Sequence, residues 1–300
     1  MTDTPISAPA ARHWVGPLMM LCGGIAIGFA PIGLRLGLDD LGPQAIAFWR
    51  YVFAAPVLFL LVLGIQKRLP SKPNMFIVIG GTCFALDIGL WHWGLTLTSV
   101  SNATFIVNLG NVGVGFAAWF FLKERPTPVW FIAVILAMAG AAALSLGAAG
   151  GGSGNIRGDL LSLAAAVLVS GYLLASKLAR RTMSGIDAVF WLTCVEIIVA
   201  GMMVMTFRED FLPAHISGFL APFILGVGIH VIGQGLIITG LGITPTSVAG
   251  VLILIQPVVA AAVSWQLFNE PLTSIQAAGS ALILFAVWLA QSGHKPQPVD

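Results

Sequence analysis

Ten apolar runs, each close to the length needed to cross a bilayer, follow one another along this chain with short polar breaks between them. A helix needs about 20 mostly apolar residues to span the hydrocarbon. Inside lipid, every backbone donor and acceptor must be satisfied within the spanning structure. The runs fall at 14–35, 43–64, 74–95, 102–121, 128–147, 157–177, 186–206, 217–239, 246–267 and 273–291. They are continuously apolar and lack the alternation of a membrane barrel, so they predict helices. Only 9% of the 300 residues are charged, against about 25% in a soluble domain. Too few charges are present to cover a water-facing surface. The expected fold is therefore an all-α integral membrane protein in contact with the lipid bilayer. Residues 1–13 carry Asp3 and Arg12, and no cleavage-type site follows a short apolar core, so the run from Trp14 is read as a retained helix.

Charge placement tests the count. With both termini in the cytoplasm, the inner loops hold Arg12, Lys67, Arg68, Lys72, Lys123, Arg125, Lys177, Arg180, Arg181 and Lys295. The outer loops hold only Arg35, Arg157 and Arg208. An excess of Lys and Arg on the cytoplasmic side sets orientation, and one helix more or fewer would scramble this pattern. The expected location is the cell's inner (cytoplasmic) membrane.

The sequence also repeats. Gly94 through Glu124 aligns without gaps on Gly240 through Glu270, with Thr98/Thr244, Ala103/Ala249, Trp119/Trp265 and Glu124/Glu270 as matches. Phe48-Trp49 matches Phe190-Trp191, and Gly16/Gly158, Leu18/Leu160 and Arg35/Lys177 fit the same offset. The reading is of two domains, 1–149 and 150–300, each with five helices. An odd number of crossings puts the second copy in the membrane upside down, and the loop charges reverse between copies as that requires. Inverted repeats of this kind build secondary transporters, with the site near the midplane where the copies meet. The Gly/Ser stretch 147–154 reads as a tether.

Other classes find no support. No phosphate-binding Gly-x-x-x-x-Gly-Lys-Ser/Thr motif occurs, so ATP-driven transport by this chain alone is not expected. Asp39-Asp40 is a lone acidic pair, and neither a nucleophile elbow nor a His-Glu-x-x-His motif is present, which argues against an enzyme. Cys22, Cys83 and Cys194 sit in apolar runs without metal-site spacing and read as small buried hydrophobes; no metal or cofactor is expected. No basic run suggests nucleic acid. A monomer is compatible with everything above.

Ten helices, an inverted five-plus-five repeat, and the endings Lys123-Glu124-Arg125-Pro126 and Asn269-Glu270-Pro271 on the fourth helix of each half resemble the drug/metabolite transporter superfamily, in its EamA-type branch. The first ending departs from the motif, since Arg125 separates Glu from Pro. The resemblance implies a small-molecule carrier with a central cavity lined by helices 1–4 and 6–9, helices 5 and 10 lying outside. The Trp91-His92 pair on the third helix is similar to that of the branch's aromatic amino-acid exporters, which implies substrate contact for both residues.

Ionisable groups at membrane depth cost on the order of 2.5–3.5 kcal/mol each on insertion scales and need a partner or water. Arg50 and Asp87 both fall roughly 10–12 Å from the outer ends of successive helices, which invites an ion pair or a shared water cluster. Such a pair either locks two helices or binds a zwitterion. Glu196, mid-helix and without an evident basic partner, is a packing group, a cavity group or a proton-coupling site. His230 lies midway along helix 8. Asn108 and Asn111 share a face of helix 4, and Gln256 precedes Pro257 on helix 9; these amides suit either a polar ligand or interhelical bonding. Tyr172 and the repeat-equivalent Trp49 and Trp191 complete the candidate substrate contacts, with packing as the alternative for each Trp. Trp14, Trp130 and Trp288 are expected at membrane edges. The function expected from the whole is export of amino acids, aromatic or large and apolar, by alternating access. The alternative is a carrier of another metabolite or drug, proton-coupled through a carboxyl such as Glu196.

Overall fold

The computed structural model describes residues 14–98, 100–147, 155–268 and 272–292. The linker 148–154 and the second motif, residues 269–271, lie outside the described residues. Among the described residues, ten helices are long and apolar enough to span a membrane. They are α1 (Val15–Gly37), α2 (Pro43–Gln66), α3 (Met75–Gly94), α4 (Ala103–Leu122), α5 (Pro128–Leu146), α6 (Ile156–Ala179), α7 (Gly185–Phe207), α8 (Ile216–Gly242), α9 (Thr246–Leu267) and α10 (Ser274–Ser292). Side chains such as Phe120, Ile135, Val167, Ile198 and Trp288 are exposed on the outer surface, where lipid is their natural solvent.

The halves interleave rather than stand side by side. α3 packs on α6 and α8 on α1; α4 packs on α6 and α9 on α1. α2 meets its own equivalent α7, α4 meets α9, and α5 meets α10. Each contact thus has a partner related by a pseudo-two-fold axis, which is the signature of an inverted duplication. The equivalent tryptophans show the same reciprocity. Trp49 Nε1 donates to the carbonyl of Phe211, just after α7, and Trp191 Nε1 donates to that of Ser71, just after α2, at 2.6 Å. Both anchor the α2–α7 seam. α2 and α7 also end alike, on Lys67 and Arg208 in the left-handed conformation (φ 52° and 55°).

Close approach of the helices depends on small residues, as expected where lipid offers no hydrophobic drive between helices. A Cβ on Gly250 would sit 1.9 Å from the Asn111 carbonyl oxygen, and one on Gly110 would sit 2.2 Å from that of Ala166. Two sequence expectations are corrected here. Trp130 is buried and donates Nε1 to the Ser247 carbonyl at 2.8 Å, so it braces α9 from α5 instead of anchoring at a membrane edge. Cys22 is exposed on the outer face, and Cys83 and Cys194 are half-buried; all three are free.

Loop charges tie the starts of α2, α7 and α9 to the opposite half. Glu209 Oε2 accepts from the Gln44 and Ala45 amides at 2.9 Å each, capping α2. Asp187 at the start of α7 accepts from Arg68 Nη2 at 2.6 Å and Ser71 Oγ at 2.8 Å. Glu124, the acid of the first family-type ending, accepts from the Thr246 amide at 2.8 Å and so caps α9. Lys177 Nζ donates to the Leu241 and Thr244 carbonyls at 2.8 and 2.7 Å, covering the end of α8. Acid at a helix start and base at a helix end both oppose the helix dipole.

Burial lifts the Glu209 carboxyl above its ordinary value, although the two amides pull it down. Its charged form is therefore less favourable in the fold than in the unfolded chain, and native stability rises as pH falls through the folded value. Glu209→Gln keeps the acceptor without the charge. It is expected to unfold no lower than wild type at neutral pH, with the gap closing on acidification, as read by thermal unfolding in detergent at stepped pH.

Candidate functional site

Two of the spans are broken where they face the middle of the protein. α1 is interrupted at Gly28–Phe29, between helical segments Val15–Ile27 and Ala30–Gly37, just before Pro31. α9 is interrupted at Leu254, between Thr246–Ile253 and the segment beginning at Ile255, just before Pro257. Proline supplies no donor and disrupts the preceding turn. α8 carries a π-helical stretch, Ile224–Gln234, a form frequent at functional sites. Discontinuous helices at mid-membrane are tolerated where they line a cavity.

Such a cavity, of about 200 Å³, lies among them. Its wall takes Ile27, Gly28 and Pro31 from α1, Ala47 and Arg50 from α2, and Phe84, Asp87, Ile88, Trp91 and His92 from α3. α4 adds Thr104, Asn108 and Asn111; α6 adds Val169, Tyr172 and Leu173; α8 adds Leu225, Gln234 and Ile237; α9 adds Ile253, Gln256 and Pro257. The lining comes from α1–α4, α6, α8 and α9. Thus eight of the twelve residues singled out in the sequence converge on one space: Arg50, Asp87, Trp91, His92, Asn108, Asn111, Tyr172 and Gln256.

Of the two arrangements expected for Arg50 and Asp87, the direct ion pair is absent. Arg50 and Asp87 both line the cavity, but no ion pair or hydrogen bond joins them among the described residues. Arg50 Nη2 turns instead to His230 Nδ1, 3.5 Å away, and the guanidinium lies 5.8 Å from the Tyr51 ring centre. Asp87 Oδ1, Arg50 Nε, Trp91 Nε1 and His92 Nδ1 have no hydrogen-bond partner. Buried polar atoms are nearly always partnered, so four unpartnered ones on residues that line one cavity call for an explanation. The amides are more settled. Asn108 donates to the Thr104 carbonyl at 2.8 Å, and Asn111 donates to Asn108 Oδ1 at 3.1 Å. The Trp91 and His92 rings lie 5.3 Å apart. Phe84 and Tyr172, at 4.6 Å, form a second aromatic surface.

Glu196 and His230 lie behind this wall, both fully buried. Glu196 Oε2 lies 3.5 Å from His230 Nε2, but neither oxygen of its carboxyl has a hydrogen-bond partner. His230 Nε2 is also 2.8 Å from Thr193 Oγ1, whose own hydrogen goes to the Val189 carbonyl at 2.8 Å. Depth along a helix could be read from the sequence, but the direction of a side chain around its axis could not. Two further members of the site were missed. Gln234 donates to Tyr172 Oη at 2.5 Å, and Thr193 supports His230. Gln234 follows His230 by about one helical turn, a spacing that would have found it. Trp49 and Trp191 stand at the α2–α7 seam; Trp49 also lines a shallow outer groove with Phe53, Phe219 and Phe223. Among the described residues no group of three His, Cys, Asp or Glu is placed to hold a metal ion.

The comparisons with known proteins agree with this architecture. The chain is 25% identical over 283 residues to the uncharacterized transporter YwfM of Bacillus subtilis, covering 87% of this chain and 88% of that one. It is 27% identical over 241 residues to the uncharacterized transporter YvbV of the same organism, covering 77% and 76%. A crystal structure of 20% sequence identity superposes with a TM-score of 0.79 over 92% of this chain and 98% of the other, which shows the fold. The EamA-like transporter family matches residues 14–146 and again residues 156–291, so the chain belongs to that family of membrane transporters.

Proposed function

We propose that this transporter exports amino acids, preferring aromatic or large apolar side chains, by alternating access of the mid-membrane cavity. One observation carries the reading. Arg50 and Asp87, a guanidinium and a carboxyl, line the same cavity with no ion pair between them, beside apolar and aromatic walls. A free amino acid presents the complementary set: a carboxylate for the guanidinium fork, an ammonium for the carboxylate, and a side chain for the aromatic wall. The cavity amides Asn108, Asn111 and Gln256 add polar contacts at the same level. The likeness of Trp91-His92 to the aromatic amino-acid exporter YddG favours this solute over other metabolites. The loop charges favour an inner-membrane orientation with both ends in the cytoplasm. Trp49 and Trp191 serve the seam in this reading, not the solute.

Purified protein in liposomes preloaded with unlabelled L-tryptophan should accumulate labelled L-tryptophan, L-phenylalanine and L-leucine by counterflow. Sugars and cationic dyes should fail to exchange. Exchange of dyes or sugars, with none of amino acids, would overturn the reading in favour of a drug or sugar carrier.

A further inference from the structure

The tautomer of His230 follows from its neighbours. Arg50 has only donors, so the Nδ1 it faces at 3.5 Å must accept. Nε2 then carries the hydrogen and donates it to Thr193 Oγ1 at 2.8 Å, with Glu196 Oε2 standing 3.5 Å off and not hydrogen-bonded. Thr193 can accept there because its own hydrogen is spent on Val189. His230 is thus uncharged in this arrangement, with its one free basic nitrogen occupied by a cavity arginine.

A proton on that nitrogen and the guanidinium exclude each other. Both are donors, and two cations at this distance in an apolar interior repel strongly. Protonation would leave an imidazolium beside Glu196 and turn Arg50 out into the cavity, whose wall it already forms. The acids and bases that face this pair are Arg50 and Tyr51 from α2, Tyr172 from α6 and Cys194 on α7 itself, with Asp87 from α3 facing Tyr51. Arg50 is the one permanent cation among them. Asp87 lines the same cavity, and its Oδ1 has no hydrogen-bond partner.

We propose that His230 Nδ1, backed by Glu196, is a proton-binding site for which Arg50 is the competing occupant, so that each carboxylate gripped by Arg50 is loaded together with one proton. The proton is given by hydronium in the water entering the cavity, which leaves as water, and is returned to water as hydronium when the carboxylate departs. The carboxylate half of this statement rests on the amino-acid reading above, but the proton site does not.

Calorimetry of L-tryptophan binding to the purified full chain, repeated in buffers of different ionisation enthalpy, counts protons taken up. Wild type should take up about one per molecule bound, and His230→Gln, at saturating L-tryptophan, close to none. The pH profile of counterflow should flatten in the same variant. No uptake by wild type, or equal uptake by His230→Gln, would overturn the proposal. Histidine-selective nitrogen NMR on wild type reads the site without substrate, and so remains decisive if the variant does not fold or no amino acid binds. The expected spectrum shows His230 as the Nε2–H tautomer, gaining a second proton on acidification, and gaining it at a higher pH in Arg50→Met. An Nδ1–H tautomer, or a ring indifferent to Arg50, would sink the proton site. Failure of every amino acid to bind, with the expected spectrum intact, would sink only the choice of solute.

Discussion

Arg50→Gln together with Asp87→Asn is expected to lower amino-acid counterflow by at least a hundredfold while leaving the protein folded. A hydrogen bond to a charged group contributes about 1.5–3 kcal/mol, and about 1.4 kcal/mol is a factor of ten, so each single change should cost tenfold or more in affinity. Substrate analogues divide the two roles. Asp87→Asn should leave indole-3-propionate, which has no ammonium, unaffected, and Arg50→Gln should do the same for tryptamine, which has no carboxylate. Arg50→Lys keeps the charge but loses the planar fork and should fall between. The measurement is initial exchange rate against concentration for each variant and analogue. Full exchange by the double variant would mean that both residues serve only the packing of α2 and α3.

Gly250→Leu is expected to be the most damaging single change to stability. α9 and α4 touch backbone to backbone at this point, since even a Cβ would fall 1.9 Å from the Asn111 carbonyl. Overpacking typically costs about 1–3 kcal/mol when side chains can yield. Here the obstacle is main chain, so the helices must separate, and the contact lies at the seam between the halves. The thermal midpoint in detergent should drop sharply, with loss of the monodisperse peak in gel filtration. Gly64→Ala is the control: a Cβ there meets nothing within 4 Å, and helix propensity favours alanine. Equal behaviour of the two variants would mean that close approach at Gly250 contributes nothing.

The spans were legible because lipid imposes a length. The run 43–64 became Pro43–Gln66 and the run 157–177 became Ile156–Ala179. The repeat was legible because Trp and Glu recur at matching positions in otherwise monotonous sequence. What stayed hidden was rotation about each helix axis. A lipid-facing helix is apolar all round, so no stripe tells which side meets a neighbour. Equal depth therefore suggested Arg50 with Asp87, whereas Arg50 turns to His230 on α8, and Glu196 finds the other side of the same ring. The inward turn of Trp130 was hidden for the same reason. The π-helical register of α8 leaves no trace in composition, yet it sets where His230 and Gln234 point.

The reciprocal grip of Trp49 and Trp191 shows how faithfully the scaffold has kept its mirror-like plan. The chemistry has not kept it. Opposite Arg50 the second copy has Leu192, and opposite Glu196 the first has Ala54. A molecule held by Arg50 and Asp87 is a passenger of α2 and α3, seated off-centre. Whatever motion carries it across, one flank of the cavity must travel with the passenger while the other slides past.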